Sequence, residues 1–189
     1  MNLYIKNMVS NRCKMIVKYE LEKHGLHYII VELGEVEIVE NISVKQRNLL
    51  NSDLKKSGLA IMDDKKSILI ERIKNIIVEL VHYSDKRLEI NFSDYLSGKL
   101  DYNYTYLANL FSVNQGTTIE HFFLTHKIER VKELLVYDEH SLTEIADQMH
   151  YSSVAHLSNQ FKKMTGLTPS CYKHLKKKRR KPLENVLMK

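Results

Sequence analysis

A short helical pattern occurs twice in this chain, 50 residues apart. The sequence reads YLANLF at residues 106–111 and HLSNQF at residues 156–161, and each copy has a leucine and a phenylalanine four positions apart. Because residues at positions i and i+4 share one face of a helix, each copy predicts a helix with one buried face. The register continues downstream, where three pairs of positions correspond: Gly116 with Gly166, Thr118 with Thr168, and Phe122 with Tyr172.

Each copy follows another helical segment and a short break in the pattern. Residues 141–161, SLTEIADQMHYSSVAHLSNQF, predict a first helix, a break near residues 150–152 and a second helix over residues 153–164. Residues 91–111, NFSDYLSGKLDYNYTYLANLF, repeat this layout, with the second helix at residues 103–111. Two helices joined by a short turn form a helix-turn-helix unit, so the sequence predicts two such units.

Local signals mark where these helices begin and end. Residues that can cap a helix N-terminus stand at four positions, two of them followed three residues later by the glutamate of a capping box. These positions are Asn91, Thr117 (with Glu120), Ser141 (with Glu144) and Thr168 (before Pro169). Gly116 and Gly166 stand where a left-handed residue commonly ends a helix.

The face of each second helix opposite its leucine and phenylalanine carries small and amide side chains, and in the second copy also two lysines. Asparagine can pair bidentately with adenine, small aliphatic groups can contact the thymine methyl, and lysines contact phosphates. We therefore predict that both faces bind the major groove of double-stranded DNA, in successive grooves about 34 Å apart. The predicted contact residues are Asn103, Tyr104, Thr105, Ala108 and Asn109 in the first unit, and Ser152, Ser153, Val154, Ala155, Asn159, Lys162 and Lys163 in the second.

Residues 91–175 resemble the AraC/XylS family of bacterial transcription regulators. The resemblance is specific and implies two helix-turn-helix subdomains, joined by a long helix, that bind double-stranded DNA. Carried over by position, it implies base contacts from Thr105, Ala108 and Asn109, and from Val154, Ala155 and Asn159. The matching positions in the second half are Ile145, Ala146, Tyr151, Ser152, Leu157, Ser158, Phe161, Lys162, Lys163, Gly166, Thr168, Pro169 and Tyr172. Those in the first half and the joining helix are Tyr106, Leu107, Leu110, Phe111, Gly116, Ile128, Glu129, Arg130, Lys132, Glu133, Leu134 and Leu135.

The chain departs from the family pattern at a few positions. His150 stands where the family usually has glycine, and Asn109 and Asn159 stand where an arginine is common. The first subdomain is acidic, because residues 91–120 contain one lysine and three carboxylates. We therefore expect the first subdomain to contribute less to DNA affinity than the second.

In residues 1–63 the spacing of the apolar residues changes several times between the period of a strand and the period of a helix. Alternating apolar residues predict strands at residues 3–7, 29–33, 36–38 and 59–63, and helical spacing predicts helices at residues 11–24 and 44–57. The resulting order, β-α-β-β-α-β, is the ferredoxin-like pattern. The expected fold is therefore an α+β N-terminal ferredoxin-like domain followed by an all-α C-terminal domain. The expected divisions are 1–63, a connecting helix and linker at 64–90, the DNA-binding domain at 91–175, and a basic tail at 176–189.

The front domain resembles the heavy-metal-associated domain, which is also ferredoxin-like. That family binds soft metal through Met-x-Cys-x-x-Cys, where this chain has Met8, Ser10 and Cys13. A hydroxyl is a poor ligand for Cu(I) or Zn(II) beside a thiolate. The favoured interpretation is a domain that lost the metal and mediates dimerisation or senses another signal. The alternative is that Cys13 still binds metal, helped by Met8, His24 or His27, or by sharing across a dimer. We predict no metal ligands and no cofactor.

Residues 65–84 contain the longest helical pattern, with a heptad-like seam at Leu69, Ile73, Ile76 and Leu80. A short seam of this kind suits a connecting helix packed on its own domain better than a coiled-coil dimer helix. A homodimer through this helix or through the N-terminal domain is the alternative.

Charge and composition narrow the functional class. The 189-residue chain has a net charge of +6, and KHLKKKRRK at residues 173–181 holds seven of its lysines and arginines, which favours an acidic partner such as nucleic acid. A solvated, disordered tail is the other interpretation of this run. No long apolar segment or signal peptide is recognisable, and the two cysteines fit a reducing compartment, so we expect a cytoplasmic protein that does not interact with membranes.

The sequence favours a regulator over the other functional classes. No nucleotide-binding, zinc-protease or serine-hydrolase motif occurs, so we expect no enzyme and no catalytic residues. The sequence therefore predicts a sequence-specific DNA-binding transcription regulator. A metal-binding protein, either a metal chaperone or a metal sensor, is the alternative, suggested by the front domain alone.

Overall fold

The computed structural model describes residues 1–84, 88–137 and 139–179. The N-terminal part has the predicted element order. Its elements are β1 (Asn2–Lys6), α1 (Asn11–Lys23), β2 (Tyr28–Glu32), β3 (Glu35–Ile38), α2 (Val44–Lys56) and β4 (Ala60–Met62). None of the described helices combines the length and the apolar composition that crossing a bilayer requires.

The four strands form one antiparallel sheet in the order β2-β3-β1-β4. Leu3 pairs with Val36 across β1 and β3, and Ile5 pairs with Ile61 across β1 and β4. Because these side chains point to the same face, they form one core with buried leucines and valines of the two helices. The helical contributors to that core are Val17 and Leu21 of α1 and Leu50 and Leu54 of α2.

A third helix, α3 (Lys65–Val78), begins at the N-cap Asp64 and packs within the same compact unit. Four of its leucine and isoleucine residues, Leu69, Ile70, Ile73 and Ile77, are buried. This packing agrees with the favoured interpretation of residues 65–84, and Ile76 and Leu80 of the predicted seam are half-buried. The helix ends earlier than predicted, because the chain widens into a π-helical turn over Glu79–Tyr83.

A buried asparagine ties α3 to the sheet. The Asn75 side-chain nitrogen donates a hydrogen bond to the carbonyl oxygen of Leu33, 3.0 Å away, at the turn between β2 and β3. The next residue, Gly34, has φ +82°, and a Cβ added there would collide with the Asn75 amide. Both the left-handed backbone and the close approach of Asn75 therefore require glycine at this turn.

Six further helices follow, as the C-terminal pattern predicts. They are α4 (Phe92–Leu100), α5 (Tyr104–Gln115), α6 (Ile119–Tyr137), α7 (Leu142–Gln148), α8 (Val154–Thr165) and α9 (Pro169–Arg179). The chain divides into two compact units, of which the first contains Met1–Glu79 and Ile90–Gly116. The second contains Leu80–Glu89 and the chain from Thr117 onward. Of the basic run, residues 180 and 181 lie outside the described residues.

Most of the predicted helix boundaries agree with the structure, but two caps need correction, and α5 extends to Gln115, four residues beyond its predicted end. Ser141 and Glu144 form the predicted capping box. The predicted box at Thr117 is wrong by one residue, because α6 begins at Ile119 and the Thr118 hydroxyl accepts the hydrogen bond from the His121 amide. Asn91 precedes α4 as predicted, but its side chain makes no capping hydrogen bond.

Candidate nucleic-acid interface

The second helix-turn-helix unit presents α8 with one buried face and one exposed face. The Ser153 hydroxyl caps the helix by accepting a hydrogen bond from the His156 amide, 3.1 Å away. Leu157 and Phe161 are fully buried, and the Phe161 ring meets the Tyr172 ring of α9 edge to face at 5.5 Å. Gly166 ends the helix with φ +77°. These contacts fix the rotation of α8 about its axis and therefore which side chains reach solvent.

The exposed face of α8 and its preceding turn carries the predicted contact residues of the second unit. Val154 is half-buried, and the other six are exposed: Ser152, Ser153, Ala155, Asn159, Lys162 and Lys163. The two lysines lie in the last turn of the helix, where ammonium groups interact favourably with the helix dipole. An amide and small groups flanked by ammonium groups are suited to base edges and phosphates, respectively.

Helix α5 is the counterpart in the first unit. Leu107 and Phe111 are fully buried, as the repeated spacing predicts. Of the predicted contact residues, Asn103, Thr105 and Asn109 are exposed, and Tyr104 and Ala108 are half-buried. The Asn103 side-chain oxygen accepts a hydrogen bond from the Thr105 amide at 2.8 Å, so part of this predicted contact residue serves as the helix N-cap. Gly116 ends the helix with φ +67°.

The two exposed faces differ in charge. Helix α5 contains no lysine or arginine, whereas α8 ends in a lysine pair. The ammonium group of Lys99, on α4, lies over the Tyr95 ring of the same helix at 5.8 Å. An exposed surface without cations attracts phosphates weakly, since nonspecific affinity for DNA depends on neutralising them.

Sequence reasoning missed an aromatic residue at the equivalent position in each unit. Tyr106 of α5 stacks on Tyr102, with ring centroids 5.5 Å apart, and His156 of α8 meets Tyr151 edge to face at 5.3 Å. The Ser152 hydroxyl is 3.0 Å from Nδ1 of His156, so this predicted contact residue is also part of the local packing. The sequence did contain a signal for these two aromatic residues, because Tyr106 and His156 are the first residues of the two copies of the repeated pattern.

A lysine of α6 supports the turn before α8. The Lys127 ammonium group lies 4.2 Å from the centroid of the Tyr151 ring, a cation–π geometry. Burial lowers the pKa of Lys127 to about 8 and raises the pKa of Tyr151 to about 12. Among the described residues, the buried Tyr151 hydroxyl has no hydrogen-bond partner. The ring is therefore held by packing and by the cation, not by its hydroxyl group.

His150 occupies a left-handed conformation in this turn, with φ +55°. This explains why glycine suits the position, since a Cβ strains the left-handed conformation and glycine has none. We expect His150→Gly to raise the free energy of unfolding of the second unit by about 0.5–1 kcal/mol, because the relieved strain exceeds the added flexibility of glycine. Urea unfolding followed by circular dichroism measures the change.

The control for this substitution is His121→Gly in the first turn of α6. Glycine there should lower the free energy of unfolding by as much as about 1 kcal/mol, because no left-handed strain is relieved. Equal destabilisation by both substitutions would show that the His150 side chain contributes more than its backbone strain costs.

The positions considered for soft metal in the front domain are engaged elsewhere. Met8 is fully buried in the core of the sheet. The Cys13 sulfur lies 3.3 Å from the Ser10 hydroxyl. Burial raises the pKa of the Cys13 thiol, but hydrogen bonds from Ser10 and neighbouring backbone groups outweigh it and leave the pKa lowered. His27 pairs with Glu40, and its side chain is exposed. His24 is half-buried and contacts Asp53.

One group of potential metal ligands, Glu20, His24 and Asp53, lies between α1 and α2. The Lys23 ammonium group is 2.9 Å from Glu20 and 2.8 Å from Asp53, and Lys56 also pairs with Asp53. Hydrogen bonds from Lys23 and then Lys56 hold the pKa of Asp53 well below its usual value. This cluster is thus an ion-pair network that joins the two helices, with ammonium groups neutralising its carboxylates.

Comparison with known proteins agrees with this geometry. Residues 96–174 match a family of helix-turn-helix domains. The HTH-type transcriptional regulator YtdP of Bacillus subtilis (strain 168) is 25% identical over 162 residues, which are 84% of this chain and 20% of that protein. SAS0078, an HTH-type transcriptional regulator of Staphylococcus aureus (strain MSSA476), is 25% identical over 150 residues, 79% of this chain and 19% of that protein. The chain spans about a fifth of the length of these curated relatives.

A solved structure shows the same fold. The C-terminal domain of AraT, a response regulator from Geobacillus stearothermophilus, superposes with a TM-score of 0.51 and 24% sequence identity, over 59% of this chain and 88% of that one. The paired helices, the capped and exposed α8 and the family match agree with one another. The chain therefore contains a helix-turn-helix domain similar to parts of proteins that are named as transcriptional regulators.

Proposed function

We propose that this protein is a transcription regulator that binds specific sequences in double-stranded DNA. The observation that carries this proposal is the exposed face of α8. There an asparagine, an alanine and two lysines lie opposite a fully buried leucine and phenylalanine. Inserted in a major groove, such a face can read bases through Asn159, Ala155 and Val154 and contact phosphates through Lys162 and Lys163.

Helix α5 is the second reading element in this proposal. Thr105, Ala108 and Asn109 would contact bases in a neighbouring major groove, with Asn103 and Tyr104 at the N-terminal end of the helix. Because α5 has no cation, its contribution to affinity should be the smaller one. The basic residues that begin at Lys173 would add attraction to phosphates that does not depend on sequence.

The front domain is the proposed site of signal input or self-association. Its β-α-β-β-α-β order and its strand order β2-β3-β1-β4 support a ferredoxin-like fold. The match to the Bacillus relative spans 162 residues, more than residues 64–189 contain, so it includes part of this domain. A segment similar to part of this domain therefore accompanies a helix-turn-helix domain in a protein named as a regulator. Such a protein would act in the cytoplasm.

Paired substitutions test the difference between the two reading helices. We expect Asn159→Ala to weaken binding to the selected site by about 1–3 kcal/mol, the value of a bidentate base contact, and Asn109→Ala to weaken it less. Fluorescence anisotropy with a labelled duplex gives both affinities. Asn114→Ala is the control, because this asparagine of α5 donates its side-chain hydrogen bond to Leu110 of the same helix. A larger loss at Asn109 than at Asn159 would contradict the assignment.

Selection from a pool of random duplex DNA at two salt concentrations tests the function itself. Enrichment of a site with two elements about one helical turn apart is the expected result. One enriched element would make α8 the main reader and leave α5 in a supporting role. Binding without enrichment that disappears at higher salt would show only nonspecific attraction to the basic residues and would overturn the proposal.

A further inference from the structure

Two histidines of the second compact unit, His82 and His126, face each other outside the proposed DNA-binding surface. His82 lies in the π-helical turn, and His126 lies in the middle of α6. Nε2 of His82 and Nδ1 of His126 are 3.5 Å apart. The two rings meet edge to face at 89°, with centroids 5.7 Å apart. Both side chains are half-buried, so this contact lies partly out of solvent.

The distance between the two nitrogens suits a shared metal ion. Metal–nitrogen bonds of about 2.0–2.1 Å at a tetrahedral angle place two imidazole nitrogens about 3.4 Å apart. The contact is a long hydrogen bond, because hydrogen bonds from nitrogen are usually about 2.7–3.2 Å. The separation of 3.5 Å also matches that of two ligands of one ion, which would replace this weak hydrogen bond.

Both imidazoles lie in partly buried surroundings. Burial lowers the pKa of His82, with smaller opposing effects from Glu133, which raises it, and Arg130, which lowers it. Burial also lowers the pKa of His126, as does His82, while Glu129 raises it. The Phe122 ring, 4.6 Å from the His126 ring, adds packing that restricts its rotation.

We propose that His82 and His126 together bind one divalent transition-metal ion of the zinc and nickel class, with water completing its coordination. Imidazole nitrogen suits these ions, whereas magnesium and calcium prefer oxygen ligands. The bound ion would fasten the π-helical turn that contains His82 to α6, within the second compact unit. Neither the metal-binding motif considered for the front domain nor the proposed DNA contacts include these two residues.

Calorimetric titration of the full chain, free of metal and of any affinity tag, with Zn²⁺ tests this site. We expect one equivalent to bind with release of heat, and expect that binding to be lost in both His82→Gln and His126→Gln. His121→Gln, an exposed histidine of α6, is the matched control and should leave the titration unchanged. His24→Gln and a variant with both cysteines replaced by serine test the other potential ligands. Binding that survives in the His82 and His126 variants, or that is lost in His24→Gln or in the cysteine variant, overturns the proposal.

A second measurement uses the chain without substitutions, so its result does not depend on whether the histidine variants fold. Proton–nitrogen correlation spectra of the imidazole rings report each of the nine histidines separately. On addition of Zn²⁺, two rings should shift together and reach their end points at one equivalent. The absence of any imidazole shift, or a shift in a single ring, would show that the histidine pair does not hold the ion.

Discussion

Gly34→Ala should be among the most damaging substitutions in the α/β domain, although it adds only one methyl group. The positive φ of Gly34 costs an alanine about 1–2 kcal/mol. Its Cβ would also displace the Asn75 amide and break the hydrogen bond to Leu33, leaving buried polar groups unpaired for about 1–3 kcal/mol more. The sum is a large fraction of the stability of a small domain. Chemical unfolding followed by circular dichroism measures the loss.

Gly25→Ala and Gly58→Ala are matched controls for this prediction. Both glycines have similar positive φ values, +68° and +76°, but a Cβ at either would meet nothing within 4 Å. Replacing either glycine with alanine should therefore lower the free energy of unfolding only by the cost of backbone strain. Equal losses at all three glycines would show that Asn75 can move aside and that its hydrogen bond contributes little. In a double-mutant cycle with Asn75→Ala, the Gly34 penalty should shrink towards that of the controls.

Phe161→Ala should unfold the second helix-turn-helix unit or loosen it severely. Phe161 is fully buried and lies against the Tyr172 ring, so its truncation leaves a large cavity, with an expected cost of about 3–5 kcal/mol. DNA binding should be lost with it, because α8 is oriented by this side chain. Thermal unfolding and anisotropy with the selected duplex measure the two effects. Phe111→Ala, at the equivalent fully buried position of the repeat, should cost about as much in the first unit.

The control for Phe161→Ala is Tyr137→Ala at the end of α6. The Tyr137 side chain is 66% exposed, so removing an aromatic ring there should change stability by less than about 0.5 kcal/mol. Similar losses for the two substitutions would mean that Phe161 does not anchor the unit. DNA binding that persists in Phe161→Ala, with the unit still folded, would contradict the role of α8.

Sequence reasoning recovered those features that depend on neighbours close in the chain. The leucine and phenylalanine spacing located α5 and α8, and glycine at positions 116 and 166 located their ends, because both signals act within one or two helical turns. The change of period over residues 1–63 gave the correct element order for the same reason. The error at Thr117 arose because two adjacent threonines can cap the same helix and only the backbone decides between them.

Contacts between distant residues could not be predicted in this way. Asn75 meets Leu33 across 42 positions, and His82 meets His126 across 44. Lys127 reaches Tyr151 only because α6 and the turn before α8 are packed together. No spacing rule connects such pairs, since their proximity is a property of the folded chain. The predicted contact residues of the second unit lie together for a local reason, namely that six of the seven belong to α8 and its cap.

The edge of the sheet has a consequence for the behaviour of the protein in concentrated solution. Strand β2 lies at an edge, and its Ile29 and Ile30 side chains are 59% and 50% exposed. Such an edge is a template for aggregation when it is regular and apolar. The pairing of β2 with β3 shifts register between Tyr28 and Ile30, so the edge lacks the continuous ladder that an incoming strand would have to match. The irregular pairing thus protects the chain from the fibrillar association that its two exposed isoleucines would otherwise favour.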